Sequence, residues 1–122
     1  MQCFPSNIKH AVNMLGDIIQ NPSLSKTLLE QEKDTIRTEL EESNKDVQET
    51  IMEAVHFTAY RDHYMGQPIL GDIDNINNVT QDMVKEYHAT HYVGKNLIIV
   101  GTGNVNHKEF VDMVAKEFGN MK

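Results

Sequence analysis

Within the stretch Leu28–Glu53, LLEQEKDTIRTELEESNKDVQETIME, two carboxylates, Glu32 and Glu39, stand seven residues apart. Seven residues make about two helical turns. Leu29, Ile36 and Leu40 form an apolar stripe at helical spacing, and at roughly 100° per residue both carboxylates project on its flank, within about 20° of each other. The spacing predicts that they lie half-buried side by side. A carboxylate against a core needs a cation, a metal or hydrogen-bond donors to compensate its desolvation. The pair is therefore either functional or the edge of a solvated acidic helix, and the pattern alone leaves both open. Glu49 and Glu53 are four residues apart, the interval at which two side chains project together and can grip one cation. They too can be read as plain solvated charges.

Other routes to chemistry are thin. His88 and His91 have a helical i, i+3 spacing that could hold a metal, yet no carboxylate or cysteine partner stands close in sequence, and a structural role is expected. Gly101-Thr-Gly103 follows an apolar run, but the third glycine of a G-x-G-x-x-G dinucleotide turn would fall at Asn106, which argues against a nucleotide loop. Cys3 has no evident base partner and no serine triad is discernible, so neither nucleophilic route is supported.

The elements that must carry these side chains can be traced from periodicity and caps. Helices are predicted over Ser6–Gln20, Ser25–Glu41, Val47–Arg61, Thr80–His91 and His107–Phe118. Ser43-Asn44-Lys45-Asp46 reads as a break. That break matters, because a straight helix would separate Glu39 from Glu49 by roughly 15 Å, whereas a bend can bring both to one cleft. Gly66 to Asn78 reads as loop, and the Leu-Ile-Ile-Val run makes Asn96–Gly101 a predicted strand. A lone strand cannot satisfy its own backbone, so it needs neighbours from a larger sheet.

The run Glu30-Gln-Glu32-Lys-Asp-Thr-Ile-Arg-Thr-Glu39 resembles the ligand helix of the inverted-zincin peptidases, the pitrilysin and insulinase clan, whose signature reads E-x-E-R-x-x-x-x-x-E. The resemblance continues through His56-Phe-Thr-Ala-Tyr60, Met65-Gly-Gln-Pro-Ile-Leu-Gly71, Tyr87 to Tyr92, Asn96 to Val105 and the closing helix. That order of segments is similar to the catalytic beta subunits of the mitochondrial-processing-peptidase branch. It departs from Lys45 onward, where the match loosens, at Pro68, where threonine is usual, and at Glu53, where aspartate is common.

The resemblance implies that Glu39 is the third zinc ligand, completing a two-histidine, one-glutamate site with an open position for water. It implies that Glu32 orients one of the histidine ligands by accepting its other N–H, and that Glu49 and Glu53 recognise the arginine two residues before the cleavage site of basic presequences. The His-x-x-Glu-His half of the clan's zinc site is missing here: only 38 residues precede Glu39, and His10, His56, His63, His88, His91 and His107 never form it. Zn²⁺ would thus be held with histidines from outside this chain, and an upstream glutamate would deprotonate the attacking water. Residues 1–122 would be the helix-rich downstream half of one α+β peptidase domain, inactive alone, with the presequence and the first part of the domain upstream of Met1. An alpha subunit as partner and a location in the mitochondrial matrix or a related organelle are implied as well. Two other readings remain. One is a core subunit of the cytochrome bc1 complex, which shares the fold but has often lost the zinc site, against which Glu32, Glu39, Glu49 and Glu53 argue. The other is a helical interaction domain with no metal.

Composition sets outer bounds. At 122 residues the chain is one domain at most, with no apolar run long enough to span a bilayer. Of its formal charge of −7, Leu28–Glu53 contributes −6, with nine acidic residues against three basic ones. An acidic surface of this kind disfavours nucleic acid and favours cationic ligands. Cys3 alone excludes an internal disulfide and fits a reducing compartment. Met1-Gln-Cys-Phe-Pro is neither basic nor long enough for a targeting peptide.

Overall fold

The computed structural model describes residues 1–122. It contains six α-helices, α1 (Ile8–Gln20), α2 (Lys26–Ser43), α3 (Val47–Ala59), α4 (Ile73–Asn78), α5 (Gln81–His91) and α6 (His107–Phe118), and three short 3-10 turns at Pro5–Asn7, Tyr64–Gly66 and Gly94–Asn96. There is no strand, so the expected α+β class with one strand is corrected to an all-helical set of elements. The run from Leu97 to Val100 is nonetheless extended at its start, with Leu97 at φ −101° and ψ 134°, and its exposure alternates: Ile98 is 91 % and Val100 75 % exposed, while Leu97 and Ile99 are half-buried. The apolar run specifies extended backbone and an inner face. A strand also requires a hydrogen-bonded neighbour, and no segment here supplies one. No helix is long and apolar enough to cross a membrane.

The chain divides into two compact units, Met1–Ser23 with Val84–Lys122, and Leu24–Met83. In the first unit, α1 packs on α6. Val12 is buried there, and Gly16 faces Glu117 so closely that a Cβ would lie 3.4 Å from the Glu117 Cβ. Gln20 Nε2 donates to the Glu117 carbonyl at 2.8 Å, and His88 shares a 2.8 Å hydrogen bond with the Ile19 carbonyl. A carbonyl only accepts, so the His88 Nε2 carries the proton and ties α5 to the end of α1. His88 stacks on Tyr92 and His91 on Tyr87. The spacing that suggested a metal is used for packing.

The second unit carries the acidic stretch. Ser25 caps α2 by accepting from the Leu28 N–H, and Asp46 caps α3 by accepting from the N–H groups of Gln48 and Glu49 at 2.8 and 3.2 Å. Each satisfies donors that a helix start leaves unpaired. Between these helices the backbone turns over Asn44–Asp46, with Lys45 N–H on the Glu42 carbonyl and Asp46 N–H on the Ser43 carbonyl, both at 3.0 Å. The predicted break is present. The predicted loop from Gly66 to Asn78, by contrast, contains α4, opened by Asp72 accepting from the Asn75 N–H at 2.8 Å. Six residues are too few for periodicity to declare a helix.

α2 and α4 are held together by two cations. Lys33, only 7 % exposed, donates to Glu30 at 3.0 Å and to the Asn77 carbonyl at 3.2 Å, while Arg37 pairs with Asp34 and donates to Asn77 Oδ1 at 2.6 Å. One turn apart on α2, they grip one residue of α4 beside the buried Ile76. At the other end of α3, Gly66 is buried against the carbonyl of Tyr60, where a Cβ would come within 2.3 Å of that oxygen. The obstacle is backbone, so no rotamer change relieves it. Gly66→Ala should cost about 1–3 kcal/mol, read as a lowered midpoint in urea unfolding; an unchanged midpoint would show that the turn is not held against α3.

Candidate functional site

The break between α2 and α3 turns two acidic helix faces toward one cavity of about 920 Å³ in the Leu24–Met83 unit. Five carboxylate residues line it: Glu39 and Glu42 from α2, Asp46 from the break, and Glu49 and Glu53 from α3. Ser43, Met52, His56, Tyr64, Met65, Gln67, Ile69 and Leu70 complete the lining, which includes no lysine or arginine. Of the five only Glu42 has a basic partner, Lys45 at 2.7 Å, so four carboxylates with no fixed counter-charge focus a negative potential on the concave wall. The cavity suits a cationic group whose flank is apolar, since Met52, Met65, Ile69 and Leu70 face the same space.

Of the residues singled out in the sequence, Glu39, Glu49 and Glu53 meet at this cavity and Glu32 does not. Glu32 and Glu39 do share a face of α2, but both are exposed, not half-buried as expected. The stripe they flank is itself little covered, with Leu29, Ile36 and Leu40 only half-buried. Periodicity fixes which side chains share a face, not what lies over it. Along the axis the two are about 10 Å apart at 1.5 Å per residue, enough to leave Glu32 outside the cavity lining.

Glu39 enters none of the three ion pairs, which join Lys33 to Glu30, Arg37 to Asp34 and Lys45 to Glu42. Its carboxylate is free to meet a ligand. Glu49, on the first turn of α3, accepts a hydrogen bond from the Ser43 hydroxyl at 2.6 Å. Glu53 follows one turn later and is half-buried.

His56 also lines the cavity, without having been singled out by sequence pattern. Its ring shares a 2.8 Å hydrogen bond through Nδ1 with the Met52 carbonyl and stacks on Tyr60. The carbonyl can only accept, so Nδ1 carries a proton in this bond. The signal was available: Glu49, Glu53 and His56 recur at i, i+4 and i+7 on one face.

The donor chemistry also bears on metal. No group of three or more His, Cys, Asp or Glu side chains is placed to hold a metal ion, and zinc sites in proteins need three or four protein ligands. These residues do not form a zinc site by themselves. Glu39 can offer one carboxylate to a site completed from elsewhere.

Comparison with known proteins gives two family matches: the insulinase peptidases (peptidase family M16) over residues 1–73, and the peptidase M16 inactive domain over residues 78–122. The mitochondrial-processing peptidase subunit beta of Dictyostelium discoideum is 34 % identical over 122 residues, covering 100 % of this chain and 26 % of that protein. The human protein of the same name is 33 % identical over 119 residues, covering 98 % of this chain and 24 % of its own length. The probable mitochondrial-processing peptidase subunit beta of Schizosaccharomyces pombe is 34 % identical over 119 residues, covering 98 % and 26 % respectively. The chain thus spans about a quarter of the length of the curated relatives it matches.

Proposed function

This chain belongs to the insulinase peptidases, family M16, and from that premise we propose that it is the part of a presequence-removing zinc metalloendopeptidase that supplies one metal ligand and the recognition of substrate arginine. The observation that carries this reading is the convergence of Glu39, Glu49 and Glu53 on one cavity without a lysine or arginine in its lining. The family is generally zinc-dependent. Glu39 would hold Zn²⁺ together with two histidines outside residues 1–122, and the metal, when bound, supplies a Lewis acid for amide hydrolysis. Glu32 would orient one of those histidines.

Glu49 and Glu53 then do the work of this chain on the substrate. Placed one turn apart on α3, they accept the two edges of a guanidinium, which draws a basic presequence into the cavity and fixes its register. The mitochondrion follows from what the matched relatives are named, and the matrix, an alpha subunit as partner and basic presequences as substrates are part of the proposal. Residues 1–122 are read as the downstream portion of the peptidase domain. A cytochrome bc1 core subunit and a metal-free interaction domain are less favoured, since the relatives compared above carry the name of a processing peptidase.

The test is reconstitution. The full-length protein paired with its alpha subunit should cleave a basic presequence peptide, lose that activity to a chelator and regain it with zinc. Residues 1–122 alone should be inactive. Chelator-insensitive cleavage, or no cleavage by the pair, would contradict the proposal.

A further inference from the structure

Resting on the reading of Glu49 as an arginine-binding carboxylate, we propose that Ser43 is a positioning residue for substrate selection, its hydroxyl locking one oxygen of Glu49 so that the other is held for the incoming guanidinium. The 2.6 Å separation between Ser43 Oγ and Glu49 Oε2 is that of a charge-assisted O–H···O⁻ bond. A hydroxyl has one proton to give, so the bond engages one carboxylate oxygen and leaves Oε1 unoccupied.

The bond spans the break and not a helical turn. Ser43 is the last residue of α2 and Glu49 lies in the first turn of α3, and both side chains line the cavity. Asp46 fixes the α3 end of the same turn by accepting from the Glu49 N–H at 3.2 Å. Glu49 is therefore held at its backbone by one residue and at its carboxylate by another. Glu53 is not given such a latch: no side chain donates to it, and it is oriented only by its helix and partial burial. The glutamate nearer the break is otherwise exposed, and a free glutamate samples several rotamers that a bound one must give up. Ser43 removes that disorder before substrate arrives, which is where preorganisation raises affinity.

A bond of this kind predicts an effect on binding more than on turnover. In the full-length enzyme with its alpha subunit, Ser43→Ala should raise KM for an arginine presequence peptide about two- to tenfold, the range that ordering one rotamer-rich side chain costs, with most of the change in KM and little in kcat. The preference for that peptide over its alanine counterpart should fall by the same factor. Ser43→Thr, which keeps the hydroxyl, should restore both. If Ser43 only braces the break, Ser43→Ala will lower turnover of the two peptides equally, and that result overturns the proposal, as does a threonine variant that behaves like alanine. Glu49→Gln assayed in parallel separates the two levels of the argument. Loss of arginine preference in Glu49→Gln but not in Ser43→Ala would refute the latch alone, while no loss in Glu49→Gln would remove the arginine site on which it rests.

Discussion

Replacing Glu39 by glutamine in the full-length enzyme should abolish both zinc binding and peptide cleavage. Glutamine keeps the size of the side chain and removes the anionic oxygen, so α2 and the cavity should stay in place while the metal loses a charged ligand. Losing a group that merely supports a ligand already costs about 10–100-fold in metal affinity or activity, and losing the ligand should exceed that. Glu32→Gln provides the scale, since a supporting role predicts a loss inside that range. Metal content by atomic absorption, measured beside the rate of presequence cleavage, checks both variants. Stoichiometric zinc in Glu39→Gln would take Glu39 out of the ligand set, and equal effects at Glu32 and Glu39 would erase the distinction between their roles.

Glu49→Gln combined with Glu53→Gln should reduce kcat/KM for arginine-containing presequences by about 100-fold. Glutamine still accepts a hydrogen bond but lacks the charge, and a bond to a charged group exceeds a neutral one by about 1–1.5 kcal/mol; two such losses, near 2.7 kcal/mol together, are a factor of about 100. The same peptides with alanine in place of the arginine should lose far less, because they never made the contact. Equal losses on both peptides would mean that the pair only supports α3. No loss on either would leave Glu49 and Glu53 as a solvated pair.

Much of this arrangement could be seen in the linear sequence because its determinants are local. Asp46 before Val47 announces the start of α3, Ser25 that of α2, and the break that brings Glu39 and Glu49 to one cavity lies where Ser43–Asp46 interrupts the apolar stripe. α6 spans His107–Phe118 as its spacing predicts. Features that depend on a neighbour were not legible. The Leu97–Val100 run begins extended at Leu97 but is unpaired, because an apolar run encodes a preference for extended backbone while a ladder needs a second segment. Glu32 and Glu39 share a face that remains exposed, as does the Val47, Ile51, Val55 stripe of α3, at 70, 56 and 53 %. α4 escaped notice because its stability comes from Lys33 and Arg37 on α2, more than thirty residues away in sequence. Ser43 and His56 were missed for the opposite reason: their spacing from Glu49 and Glu53 was visible, but only the bend shows that these side chains face one space.

If Glu39 binds the metal and Glu49 with Glu53 binds the arginine, one cavity holds both sites at a fixed distance, so the bond that is cut must be counted from the arginine. The most direct measurement moves the arginine by one residue along an otherwise constant presequence peptide and identifies the new product termini by mass spectrometry. One residue of extended chain is about 3.3–3.6 Å, and Glu49, held at its carboxylate by Ser43 and at its backbone by Asp46, has little slack to absorb it. Cleavage should shift by one residue in the same direction as the arginine, and it should stop following the arginine when Glu49 and Glu53 are both glutamine. Cleavage that stays at the original bond in the unaltered enzyme would show that Glu49 and Glu53 do not set the register of the substrate.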